Sequence, residues 1–157
     1  MDTSKLPLKG FPFFQQNTPA LRADIAGLSG YPDISGTVLF YRTVKGIVMI
    51  WSISGLPKRT GCESSVFAFH IHDGTNCGDE IGAHYNPHGC PHPQHAGDLP
   101  PLFANDGYAW GAVLTNRFYL WEVIGKPLVI HERQDDFKTQ PAGDAGEKIA
   151  CGLIRRI

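Results

Sequence analysis

Gly36-Thr-Val-Leu-Phe-Tyr-Arg-Thr-Val-Lys-Gly-Ile-Val-Met-Ile-Trp-Ser-Ile-Ser54 holds two runs rich in β-branched and aromatic residues, 36–41 and 46–54, with only residues 42–45 between them. Such side chains are stiff and pack well on a pleated surface, so the stretch predicts a β-hairpin. Outward from it, residues 21–26, 65–72, 107–115, 127–131 and 148–153 have the same character, and most are bounded by Gly, Pro, Asn or Asp. Those residues end strands in turns. The best helical window, 116–124, is filled with aromatic and β-branched side chains and reads equally well as loop or strand, so no long helix is expected. Seven or eight short strands imply an all-β sandwich or barrel. Two segments, 73–101 and 132–147, have almost no strand character, and connections this long in a compact domain are usually functional.

A chain of 157 residues supports one hydrophobic core and is too short for two, so residues 1–157 are expected to form a single domain, with 1–18 as an N-terminal extension. The 18 glycines and 12 prolines suit short strands joined by turns. With 14 basic against 15 acidic residues the formal net charge is -1, and no basic block offers a footprint for nucleic acid. The longest apolar runs, 46–51 and 126–130, fall far short of the ~20 residues that cross a bilayer, so no membrane association is expected. The first ten residues do not read as a secretory signal. That favours a cytoplasmic protein, with export after removal of a signal as the alternative. Four cysteines leave reduced thiols, metal ligands and two disulfides all open.

All seven histidines lie between His70 and His131, six of them within residues 70–95. His70-Ile71-His72 ends an alternating strand, which returns both imidazoles to one face. Such a pair is half a metal site, or two polar groups satisfied at a strand end. The loop that follows reads His84-Tyr-Asn-Pro-His88-Gly-Cys90-Pro-His92-Pro-Gln-His95-Ala-Gly-Asp98. Closely spaced imidazoles and a carboxylate suit a tetrahedral zinc site. The prolines reduce the entropy lost on closing the loop around an ion, which an ordinary solvated loop does not need.

These residues resemble the copper, zinc superoxide dismutase family over about residues 36–154. Phe69-His70-Ile71-His72 is similar to its copper-binding strand, and Gly82-Ala83-His84-Tyr85-Asn86-Pro87 to the segment that holds its bridging histidine. His95-Ala96-Gly97-Asp98-Leu99 matches its zinc motif. Ile130-His131-Glu132 with Asp135-Asp136, and Gly143-Asp-Ala-Gly146 leading to Ala150-Cys151-Gly152, resemble its carboxy-terminal motifs. The resemblance implies an eight-stranded Greek-key β-barrel, a flattened sandwich with two long functional loops. It implies copper on His70, His72, His84 and His131, and zinc on His84, His92, His95 and Asp98, so that His84 loses both ring protons. Asp135 corresponds to a carboxylate that orients a ligand of each metal; an ordinary loop acid is the alternative.

The implied reaction is dismutation of superoxide to dioxygen and hydrogen peroxide, with copper cycling between two oxidation states and zinc organising the site. His84 would deliver a proton to the second superoxide. Lys148 stands where the family usually has an arginine that meets the substrate; it keeps the charge and loses the planar fork. Its alternative is a solvent-facing strand end. Arg133 and Lys138 are further sources of a field that attracts the anion. Only two residues separate His92 from His95, a shortened zinc loop. His88 could compete with His92, whose distance from His84 fits the family spacing better. The resemblance also implies a Cys77–Cys151 disulfide. Cys62 and Cys90 are then left to pair with each other, or Cys90 to bind zinc. A homodimer is one reading, but residues 10–14, Trp51, Trp110 and Trp121 fit core or interface equally, so the sequence leaves the oligomeric state open. The rivals are a noncatalytic copper- and zinc-binding or storage domain on the same fold, and a cupin-like metal enzyme, which does not account for the zinc motif.

Overall fold

In the computed structural model, residues 17–157 are described. The apolar segment 10–14 and nearly all of the expected extension 1–18 lie outside them. The strands are β1 (Leu21–Gly27), β2 (Ser35–Thr43), β3 (Gly46–Ser54), β4 (Val66–Phe67), β5 (Phe69–Ile71), β6 (Leu102–Phe103), β7 (Ala109–Thr115), β8 (Pro127–His131) and β9 (Lys148–Arg156). The hairpin is β2–β3, registered from Ser35 opposite Ser54 to Thr43 opposite Gly46. Alternation decides its inner face: Val38, Phe40, Met49, Trp51 and Ile53 are buried in the main core.

The main sheet is ordered β5-β8-β9-β1-β2-β3-β7, and β4 pairs with β6 in a second, two-stranded ladder. All these pairings are antiparallel. Only Ala68 separates β4 from β5, and it stays extended: its N–H donates to Arg133 O at 2.8 Å and its carbonyl accepts from His131 N–H at 2.9 Å. The segment expected as one strand, 65–72, therefore changes partner at Ala68, from β6 on one side to β8 on the other. Counted as one bent strand, it makes the total eight. Between β6 and β7, Asn105 and Tyr108 exchange both backbone hydrogen bonds across a tight turn. The sheet is thereby curled toward closure as the all-β barrel. Residues 116–124 contain a single 3₁₀ turn, Leu120–Glu122.

The barrel places the long segments on one flank. Phe69 and Ile71 of β5, with Leu128 and Ile130 of β8, face the core, and Phe69 meets Trp51 edge-to-face at 5.8 Å. The alternate residues, His70, His72 and His131, face the other way, beneath segments 73–101 and 132–147. Trp110 and Trp121 are exposed, so of the three tryptophans only Trp51 belongs to the core. Cys77 and Cys151 form a disulfide with Cα atoms 5.7 Å apart. The expected Cys62–Cys90 bridge is absent: both thiols are free. Cys90 is fixed instead by Asn86, whose side chain donates to its carbonyl at 2.8 Å and accepts from its N–H at 3.0 Å, while Cys62 is exposed in the segment before β4. No helix among the described residues is long and apolar enough to cross a membrane.

Candidate metal centre

Six histidines and two aspartates, His70, His72, His84, His92, His95, His131, Asp98 and Asp135, are the buried acidic and imidazole side chains of the described residues. Putting so many polar groups beneath loops is costly unless each finds a partner. Backbone contacts bring them together. Ile71, Tyr85 and Gly97 are linked by Ile71 N–H to Gly97 O (2.9 Å), Tyr85 N–H to Ile71 O (2.8 Å) and Gly97 N–H to Tyr85 O (2.8 Å). Gly97 is required there, because a Cβ would lie 2.2 Å from Ile71 O. This clamp holds the loop carrying His84, His95 and Asp98 against the strand carrying His70 and His72.

Two groups of four result, His70–His72–His84–His131 and His84–His92–His95–Asp98, each with its ligand atoms within 4.8 Å of one another. The hydrogen bonds around them decide which ring nitrogen remains available. His72 Nδ1–H donates to Gly82 O at 2.9 Å and His131 Nδ1–H to Gly146 O at 3.3 Å, and their Nε2 atoms face each other at 3.2 Å. Asp135 accepts at 2.8 Å from Nε2 of His70 on one oxygen and from Nε2 of His92 on the other. His84 Nδ1 lies 2.8 Å from Asp98 Oδ1, leaving Nε2 for the first group. Nδ1 of His70, His92 and His95 has no hydrogen-bond partner although buried. His92 Nδ1 is 3.1 Å from Asp98 Oδ2, close but not aligned for a hydrogen bond. Three orphaned lone pairs in a buried site are what an added cation would satisfy. An all-imidazole group suits copper, and three imidazoles with a carboxylate suit zinc.

The protonation states agree. Burial drives the His72 imidazole down to about 3 and that of His131 to about 2, with neighbouring imidazoles adding to the effect. Burial also lowers His70, against the opposing pull of Asp135. The rings of His70, His72 and His131 are therefore neutral at pH 7, the state in which an imidazole can coordinate a metal. Burial works against ionisation of Asp135, but hydrogen bonds from His70, from Phe137 N–H and from His92 outweigh it and hold the carboxyl at about 2. A Cβ at Gly143 would lie 2.1 Å from Asp135 Oδ1 and 2.8 Å from His92 Nε2, so only glycine lets segment 132–147 lie over this contact.

A family model described as copper/zinc superoxide dismutase (SODC) matches residues 34–154. The chain belongs to that family. It is 32% identical over 161 aligned positions to superoxide dismutase [Cu-Zn] 2 of Aquifex aeolicus, covering 90% of each protein. It is also 33% identical to the copper chaperone for superoxide dismutase of Homo sapiens, spanning 87% of this chain but 54% of that protein. The fold is shared with a crystal structure of a mutant SOD-like protein from Bacillus subtilis, at a TM-score of 0.70 and 25% identity, covering 84% of this chain and 95% of that one. As a copper/zinc superoxide dismutase family member, the chain has copper and zinc as its cofactor ions, which the two histidine groups fit.

Of the remaining sequence candidates, His88 is exposed and outside both groups, and Cys90 is likewise absent from them. Lys148 is exposed and stands opposite His131, at the β-bulge where β8 and β9 slip register, and its charge reaches His72. Arg133 is tied to Asp144 through Nη2 at 2.8 Å. Lys138 is exposed. Gln140 was not anticipated from sequence. Its side-chain amide pairs with the backbone of His92 in both directions, accepting from N–H at 2.9 Å and donating to C=O at 2.7 Å. His92 lies between Pro91 and Pro93, neither of which has an N–H, so Gln140 serves the one local backbone donor.

Proposed function

We propose that this protein is a superoxide dismutase: two superoxide anions and two protons give dioxygen and hydrogen peroxide. In this reading His70 (Nδ1), His72 (Nε2), His84 (Nε2) and His131 (Nε2) hold copper, while His84, His92, His95 and Asp98 hold zinc. The observation that carries it is the sharing of His84, a buried ring with one nitrogen committed to each group. Copper, when bound, supplies the one-electron redox couple. The chain's residues do the rest. Whenever Nε2 of His84 is not engaged by copper, it would carry a proton for the peroxide product. Gly82 O and Gly146 O fix the rings of His72 and His131, and Asp135 fixes those of His70 and His92. Lys148 attracts the anion toward His131.

The chaperone relatives supply the competing reading, a noncatalytic domain that holds copper. Full-length protein loaded with copper and zinc is assayed for superoxide removal beside a His131→Ala variant. Activity in the parent, lost in the variant with its β-sheet circular dichroism unchanged, is the expected result. A parent that retains copper yet removes no superoxide would favour the noncatalytic domain.

A further inference from the structure

Outside the ligands, an arginine reaches residues 93–98 of the zinc loop from the barrel. Arg117 follows β7; its backbone N–H is tied to Thr115 Oγ1 at 3.3 Å, and the next residue, Phe118, is buried in the main core. Its Nη1 lies 3.2 Å from each of three backbone carbonyls, those of Pro93, His95 and Asp98. His95 and Asp98 are themselves in the candidate zinc group, and Pro93 follows a third member, His92. Three carbonyl oxygens converging on one point repel one another unless a donor stands among them. A guanidinium, always charged and anchored to the core, is a strong donor for that place.

We propose that Arg117 is a positioning residue for zinc, bending residues 93–98 so that Nδ1 of His92, Nδ1 of His95 and the Asp98 carboxylate converge before the ion arrives. Its grip on the backbone complements that of Gln140, which holds His92 from segment 132–147. The inference rests on assigning His84, His92, His95 and Asp98 to zinc.

The test measures zinc affinity of the full chain by chelator competition, the visible spectrum of the cobalt-substituted site, and melting temperature with and without zinc. Arg117→Met, similar in length and uncharged, is expected to weaken zinc by about 10- to 100-fold, the range for residues that orient ligands. It should also alter the cobalt spectrum and lower the melting point of the zinc form more than that of the metal-free form. Arg117→Lys, whose ammonium keeps the charge and three N–H donors, should recover most of the loss. Unchanged zinc affinity in Arg117→Met, equal melting losses in both forms, or no rescue by Arg117→Lys would each overturn the proposal. A parent chain whose zinc affinity is insensitive to His95→Ala would overturn the zinc assignment itself, and this inference with it.

Discussion

The buried imidazoles of His72 and His131 make the metal-free protein sensitive to acid. An unfolded histidine titrates near its ordinary value of 6.5, whereas in the fold burial brings these two to about 3 and about 2. Between those limits the unfolded chain binds protons that the native state refuses, so stability is full above about pH 6.5 and declines as the pH falls toward 3. Asp135, held at about 2 against an ordinary 3.8, extends the decline, since its contribution is present above 3.8 and lost as the pH falls through 2. Urea unfolding in the presence of chelator, followed from pH 8 to pH 3, is expected to show this slope. A midpoint unchanged between pH 7 and pH 4 would contradict the burial argument. At this scale the clustering of the histidines with Asp98 was legible, because imidazole and carboxylate chemistry at close spacing admits few other readings. Gln140 and Arg117 were not. Each acts on backbone carbonyls or N–H groups, which every residue type presents, so no pattern in the one-dimensional sequence marks their targets.

Strands with an unbroken run of apolar and β-branched residues were legible to within a few residues, as β3 (Gly46–Ser54) and the wholly buried β8 (Pro127–His131) show. Two-residue elements such as β6 were not, because a period cannot be read from two positions, and the change of partner at Ala68 is a tertiary event. The pairing of Cys77 was open on residue chemistry alone, and only family resemblance selected Cys151. That bridge joins the start of segment 73–101 to the centre of β9, where Cys151 packs with Ile81 and Val129. It closes a loop of 74 residues in sequence, for which chain entropy gives roughly 4 kcal/mol as an upper figure. Cys77→Ser is therefore expected to lower the melting temperature and, by freeing the segment before His84, to weaken binding of both metals. Calorimetry and metal titration on the same preparation check this. A variant that melts lower but binds both ions as tightly as the parent would confine the bridge to general stability.

At the scale of the whole molecule, the apolar core and the polar centre occupy opposite faces of the same two strands. Core residues Phe69, Ile71, Leu128 and Ile130 lie inside the barrel, while His70, His72 and His131 lie outside it, covered by segments 73–101 and 132–147. The segments reach the barrel through the clamp of Ile71, Tyr85 and Gly97, through the disulfide and through Asp135. In the proposed assignment copper and zinc would tie the covering segments to the barrel, joining the zinc loop to β5 and the end of β8 directly and segment 132–147 through Asp135. Removing the ions should therefore loosen the covering segments first and leave the barrel folded. Hydrogen exchange on the full chain is expected to show protection lost on chelation in 73–101 and 132–147, with β1, β2 and β3 unchanged, and limited proteolysis should cut in the same two segments. Re-addition of zinc alone should restore most protection to 73–101, because three of its histidines and Asp98 would share that ion. Collapse of protection throughout β1–β3 on chelation would show that the core cannot stand without its metals, and would refute the separation of the two faces.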